Sequence, residues 1–110
     1  MRAGLRFTSR ASDDWKRIEP RDRARLESAL ATLREVPRPK KLDDRPLKGA
    51  APWRRIRVGE RRIIFRPFTQ QEKALYGAEV GYIVDRIIDR RDLNAMRVVR
   101  DIAVSPLAAS

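Results

Sequence analysis

Apolar and polar residues in the first third of the chain are arranged in patterns that predict one strand and two helices. Residues 5–8 alternate between apolar and polar, which indicates a short strand. Ser12 and the two aspartates after it predict a helix start, because a hydroxyl cap and acidic side chains satisfy exposed N–H groups. Apolar residues recur at spacings of three and four over 26–36, which predicts a second helix that begins at Pro20 and ends before Pro37.

The remainder of the chain predicts strands, loops and a last helix. Residues 40–52 contain prolines and a glycine and are typical of a loop, whereas 53–66 predict two short strands around a tight turn. Residues 69–78 are mostly polar and indicate another loop. A strand is predicted over 79–88, where β-branched and aromatic residues occur without proline. Residues 89–102 then place apolar side chains on one face of a helix.

This order of elements predicts an α+β domain. We expect a small antiparallel β-sheet of about four strands, an N-terminal αα-hairpin packed on one face, and a short C-terminal helix. The 110 residues suffice for one core, so 1–110 is predicted to form a single domain, with a frayed tail at about 104–110. The second face of the sheet is left to solvent or to a partner.

The hairpin over residues 53–66 concentrates positive charge on that second face. Successive side chains of a strand point to opposite faces, so burying the apolar residues turns a set of arginines outward. The apolar set is Ile56, Val58, Ile63 and Phe65, and the arginine set, here called the arginine face, is Arg55, Arg57, Arg62 and Arg66. Like charges opposed across a sheet are destabilising. The face therefore indicates either a polyanion site or a solvated surface relieved by acids such as Asp85 or Asp89.

Composition strengthens the expectation of an anionic partner. The chain has 26 Lys+Arg against 15 Asp+Glu, a net charge of +11, and guanidinium groups suit phosphate or carboxylate. It has no cysteine and no histidine, which excludes disulfides, thiolate metal sites and imidazole acid–base chemistry. The N-terminal residues lack a leader-like apolar run and no window approaches about 18 apolar residues, so we expect a soluble, cytoplasmic protein that binds no membrane.

Five segments together resemble the RelE/ParE superfamily of toxins from bacterial type II toxin–antitoxin systems. They are the first short strand, the helical pattern WKRIEPRDRARLESALATLREVP, the loop KLDDRPLKG, the hairpin WRRIRVGERRIIFRPF and the segment YIVDRIIDRRDL. The resemblance covers roughly residues 5–96. It implies a cognate antitoxin whose acidic toxin-binding segment covers the basic surface, and it implies no cofactor and no metal.

The RelE-like branch of the superfamily implies a ribosome-dependent mRNA endonuclease that inhibits translation. In that branch the ribose 2′-OH attacks the adjacent phosphate in the ribosomal A site, without metal. The basic residues of the motif match Arg55, Arg57, Arg62, and Arg90 or Arg91, which would grip the scissile phosphate. Further RNA contacts are predicted for Arg66, Arg86 and Trp53, with Trp53 stacking on a base or else supporting the loop that leads into the hairpin.

A ribonuclease also needs proton transfer, which these arginines cannot supply because a guanidinium stays protonated. The candidate general bases are Glu60, Asp89 and Tyr82. Each has a structural alternative, since Glu60 suits a turn, Asp89 suits a helix cap and Tyr82 suits sheet packing. The alternative function follows the ParE-like branch, whose members bind DNA gyrase and leave its cleaved complex unsealed, without catalysis of their own.

Overall fold

The computed structural model describes residues 1–93, which form a five-stranded sheet with helices between the strands. The elements are β1 (Gly4–Phe7), α1 (Ser9–Lys16), α2 (Pro20–Leu33), β2 (Asp44–Pro46), β3 (Arg54–Val58), β4 (Arg61–Pro67), α3 (Gln70–Tyr76), β5 (Gly81–Asp89) and α4 (Arg90–Leu93). The predicted α+β class is therefore confirmed. Beyond α4, the rest of the helix predicted over 89–102 and the predicted tail at 104–110 lie outside the described residues.

The strands are ordered β1-β5-β4-β3-β2, and the sheet is mixed. β1 runs parallel to β5, whereas the other neighbours are antiparallel. β2 lies within the predicted loop 40–52 and contributes a fifth strand. It is short and polar, and it pairs through its backbone with β3, so no alternation of apolar residues marks it. None of the helices within residues 1–93 is long and apolar enough to cross a bilayer.

A helix also occupies the polar segment 69–78, which the sequence predicted to be a loop. Thr69 and Glu72 form a capping box at the start of α3, and Gly77 ends the helix with φ 64°, in the left-handed region. The T-x-x-E spacing was present in the sequence, but without an apolar stripe it did not indicate a helix.

The first helix begins earlier than predicted. Thr8 caps α1, so the start predicted at Ser12 is wrong. The Thr8 hydroxyl accepts a hydrogen bond from Ala11 N at 3.1 Å and donates one to the Asp85 carbonyl at 2.8 Å. Asp14 instead holds β5, because its carboxylate accepts bonds from the Arg86 guanidinium and from Ile87 N. These contacts fix α1 against β5, which lies between β1 and β4 in the sheet.

The main core lies between the two N-terminal helices and one face of the sheet. The predicted core residues Ile56, Ile63 and Phe65 are fully buried there, and Val58 is half-buried against them. The buried set is Ala11, Ile18, Leu26, Ala29, Leu30, Leu33, Ile56, Ile63, Phe65, Val84 and Ile87. The helix-covered face is the one that the strand alternation predicted.

A second, smaller apolar cluster lies on the opposite face, the one expected to be open. Ile64 and Ile88 are buried there, with Leu47, Trp53 and Leu93 packed against them. The loop before β3 and the short helix α4 therefore cover part of this face. The arginines share it with an apolar patch rather than standing on a fully solvated sheet.

The Thr8 hydroxyl should contribute measurably to stability, because one buried group caps a helix and ties it to β5. We expect Thr8→Ala to lower the free energy of unfolding by about 1–2 kcal/mol. Urea denaturation would measure this, with Thr8→Ser as the control that keeps the hydroxyl and most of the stability. An unchanged Thr8→Ala midpoint would contradict the capping role.

Candidate functional site

The β3–β4 hairpin brings two arginines face to face across its ladder. Arg57 is the direct cross-strand partner of Arg62, and one pair, Val58 with Arg61, separates them from the turn at Gly59 and Glu60. Gly59 has φ 58°, a conformation that strains any side chain, and a Cβ there would lie 2.9 Å from Arg25 Nη1. The glycine therefore fixes a tight turn, and the turn fixes the arginine pair.

Arg62 is a buried cation that forms no ion pair with a carboxylate of residues 1–93. Its side chain is 7% exposed, and its Nη1 donates hydrogen bonds to the carbonyls of Gly59 at 2.8 Å and Arg61 at 2.9 Å. Burial, followed by the positive charges of Arg57 and Arg55, lowers the pKa of Arg62. The guanidinium is thus held rigidly in surroundings that disfavour its charge, and an anion would relieve this.

Arg55 and Arg57, the two arginines of β3 that belong to the arginine face, differ in their partners. Arg55 donates to the Asp43 carboxylate at 3.2 Å, and this arginine lowers the pKa of Asp43. Arg57 is exposed and forms no ion pair within the described part of the chain. Arg57 and Arg62 therefore form the uncompensated part of the arginine face, and Arg55 is partly neutralised at its border.

Glu60 and Arg90 lie at the same end of the sheet. Arg90 Nε contacts Glu60 Oε2 at 2.8 Å, and Arg90 N donates to the Glu60 carbonyl at 2.9 Å. Both side chains are more than half exposed, so an incoming ligand can separate them. Of the three candidate bases, Glu60 is the one located in the turn that joins the strands of Arg57 and Arg62.

The neighbouring pair Asp89 and Arg91 forms a local contact at the start of α4. Asp89 Oδ1 accepts from Arg91 N at 3.0 Å and from Arg91 Nε at 3.3 Å, which lowers the pKa of Asp89. The carboxylate is thus occupied by the helix start. Tyr82 is further away, because its partner in the sheet is Pro67 at the other end of β4, and its ring meets Phe65 edge-on.

Two other predicted RNA contacts are engaged by carboxylates. Arg66 binds Glu72 in a bidentate pair at 2.7 and 3.1 Å, which raises the pKa of Arg66 and lowers that of Glu72. Arg86 binds Asp14 at 2.8 and 3.2 Å. The arginine face of the sequence is thus divided, with Arg66 anchoring α3 and Arg57 and Arg62 left at the hairpin turn.

Trp53 and Asp85 form a part-buried polar contact that the sequence did not predict. Trp53 Nε1 donates to Asp85 Oδ2 at 2.8 Å, and the Trp53 ring packs against the cluster of Ile64 and Ile88. Asp85 is 2% exposed, and burial raises its pKa to about 6, although the indole hydrogen bond lowers it. The only signal in the sequence was an acid inside the most apolar strand.

A comparison with families of known proteins matches the chain to a family of toxins. The family model of the ParE toxin of type II toxin-antitoxin system, parDE, matches residues 5–93, which is most of the chain. A search of curated proteins finds no match.

Proposed function

The chain belongs to the ParE toxin family of type II toxin–antitoxin systems, and from this premise we propose that it cleaves messenger RNA in the ribosomal A site without a metal ion. Membership of the family implies a cognate antitoxin as partner. Family membership does not identify the target of the toxin, and we infer that target from the geometry of the hairpin.

The observation that carries this proposal is the cross-strand pair of Arg57 and Arg62 without a carboxylate partner in residues 1–93. Like charges opposed on a sheet cost about 0.2–1 kcal/mol, and the burial of Arg62 adds to that cost. A phosphate group placed between the two guanidiniums would offset both penalties. RNA phosphate suits such a pair because each guanidinium can bind it through two parallel N–H bonds.

The arginine pair would act on the charge that develops during cleavage. The 2′ oxygen forms a bond to phosphorus, the bond to the 5′ oxygen breaks, and the products are a 2′,3′-cyclic phosphate and a 5′-hydroxyl. Arg62 is held by carbonyls at 2.8 and 2.9 Å, so it needs little rearrangement to stabilise the phosphorane. Arg57, which is exposed, would draw the substrate to the turn and complete the clamp.

Glu60 is the group that we assign to proton transfer. Its carboxylate is paired with Arg90 on the surface, and a phosphate that attracts Arg90 would release Glu60 to accept the 2′-OH proton. The leaving 5′ oxygen would take its proton from water. This assignment gives Arg90 a role in substrate binding and requires no proton from an arginine.

A second candidate function is the binding of DNA gyrase, without catalysis. The observation that favours it is the engagement of the candidate bases, since Glu60 pairs with Arg90 and Asp89 pairs with Arg91. Tyr82 of β5 pairs with Pro67, at the end of β4 that is remote from the arginine pair. A toxin that acts through a protein interface would need none of these groups in a reactive state.

Induction of the toxin without its antitoxin separates the two targets. We expect protein synthesis to stop first, with mRNA cuts at fixed codon positions and 2′,3′-cyclic phosphate ends. Mapping RNA 5′ ends and following DNA breaks in the same culture would measure both effects. Double-strand DNA breaks with an SOS response and intact mRNA would overturn the ribonuclease proposal in favour of gyrase.

A further inference from the structure

A cavity of about 410 Å³ lies at the opposite end of β4 from the arginine pair. It opens where Pro67 at the end of β4 pairs with Tyr82 of β5, and its lining includes Arg38, Arg54 and Lys73. Its volume is within the range of pockets that hold a small ligand or an anchoring side chain. None of the roles assigned above involves this cavity.

Two of the cationic groups that line the cavity share one carboxylate, Asp44, which lies outside its lining. Asp44, whose side chain is 8% exposed, accepts from Arg38 Nη2 at 2.7 Å and from Arg54 Nε at 2.8 Å. One carboxylate is thus shared between two guanidiniums. Arg38 Nη1 is buried and has no hydrogen-bond partner among the described residues. A buried donor without a partner is costly, so this nitrogen favours an additional acceptor.

Lys73 adds a third cation, and Glu79 limits the total charge. Lys73 lines the cavity from α3 and forms no ion pair within residues 1–93, and Glu79 lies in the same lining. The acid disfavours a ligand with two negative charges, because like charges repel most strongly where water is partly excluded. The balance suits a single carboxylate better than a phosphate dianion.

The floor of the cavity is apolar and closely packed. Phe68 is 5% exposed, and a Cβ on Gly81 would lie 2.1 Å from its ring, so only glycine lets the ring lie against β5. The Tyr82 ring lies 5.8 Å from the Arg38 guanidinium carbon. A ligand here would place its charge toward Arg38 and Lys73 and an apolar part on Phe68.

We propose that this cavity receives an aspartate or glutamate side chain of the antitoxin, with an adjacent apolar side chain packed on Phe68. The antitoxin is implied by family membership and does not depend on the identity of the toxin's target. Charge complementarity supports this occupant, because the toxin carries a net charge of +11 and an acidic segment would be attracted to it. The anchor lies apart from Arg57 and Arg62, so it gives the antitoxin a contact that does not compete with RNA.

Charge reversal at Lys73 tests the proposal without disturbing the core. We expect Lys73→Glu to raise the Kd for the purified cognate antitoxin by at least about tenfold in isothermal titration calorimetry. Lys48→Glu is the matched control, since Lys48 is exposed in a loop outside the cavity and the change in net charge is the same. Circular dichroism would verify that both variants are folded.

A second variant removes the unpartnered donor. Arg38→Gln should also raise the Kd about tenfold, and Arg54 would still hold Asp44, which favours retention of the fold. Both variants should bind single-stranded RNA and arrest growth like the unchanged toxin. Unaltered antitoxin affinity in both would overturn the proposal, as would an equal loss in Lys48→Glu or a parallel loss of RNA binding. A change of target from RNA to gyrase would leave these affinities untouched.

Discussion

Arg62→Ala should abolish growth arrest on induction while the protein remains folded. In the proposed reaction Arg62 is the rigid donor to the phosphorane, and removing one such donor lowers the rate by about 10²–10³-fold. The fold should tolerate the change, because Arg62 forms no ion pair within the described residues and burial already lowers the pKa of its guanidinium. We therefore expect Arg62→Ala to affect the rate of cleavage more than the free energy of unfolding.

Rates of mRNA cleavage on ribosomes, together with growth curves, would measure the effect. Arg57→Ala should reduce cleavage less, since Arg57 is exposed and would act mainly by attracting RNA. Arg21→Ala, at an exposed position of α2, removes the same charge elsewhere and serves as the control. Full toxicity of a soluble Arg62→Ala protein would refute the assignment of the hairpin as the site.

Asp85→Asn should stabilise the protein at neutral pH and have little effect in acid. The pKa of Asp85 is raised from 3.8 to about 6 by burial, so the folded state favours the protonated form. The stability that the protonated Asp85 carboxyl contributes is fully present below pH 3.8, and it is lost as the pH rises through about 6 and the carboxyl ionises. At pH 7.5 the charged group is therefore a penalty of about 3 kcal/mol, which asparagine would remove while still accepting from Trp53.

The difference in unfolding free energy between the variant and the unchanged protein isolates this effect. We expect it to be near zero at pH 4, to grow between pH 4 and 6, and to level off above that range. The charged groups nearest to Asp85 are Arg66 and Glu72. Both are present in both proteins, so their effects on stability largely cancel in the difference. Asp43→Asn is the control of opposite sign, because the pKa of Asp43 is lowered and its contribution disappears as the pH falls. A difference that is flat from pH 4 to 8 would contradict the raised pKa of Asp85.

The hairpin and its core were predictable because side chains in a strand alternate between two faces. Only one of the two possible orientations buries the apolar residues, and the other would bury the arginines. Ile56, Ile63 and Phe65 could only be buried together, and this also placed Arg57 opposite Arg62. The site itself was predicted as a set of residues, and its arrangement at the hairpin turn follows from the same register. Assignment of Arg57, Arg62 and Glu60 to catalysis stays a prediction.

Other features left no periodic signal. β2 is held to β3 by backbone pairing and by the ion pair of Asp44 and Arg54, and α3 is held by its caps and by the pair of Arg66 and Glu72 rather than by an apolar stripe. The division of the arginine face depends on which carboxylates fold back onto it. Asp14 and Glu72 are 72 and 6 residues from their arginines, and alternation contains no information about either distance.

The pairing of β1 with β5 joins the beginning of the described chain to its end, with Gly4 opposite Gly81. β5 also pairs with β4, the strand that carries Arg62, along the edge that β3 does not occupy. During synthesis the sheet therefore cannot close until β5 has been made. A chain that ends before residue 81 lacks β5, so β4, the strand that carries Arg62, would have one neighbour in the sheet instead of two. Such long-range pairing also slows folding, which lengthens the interval in which an antitoxin can bind first.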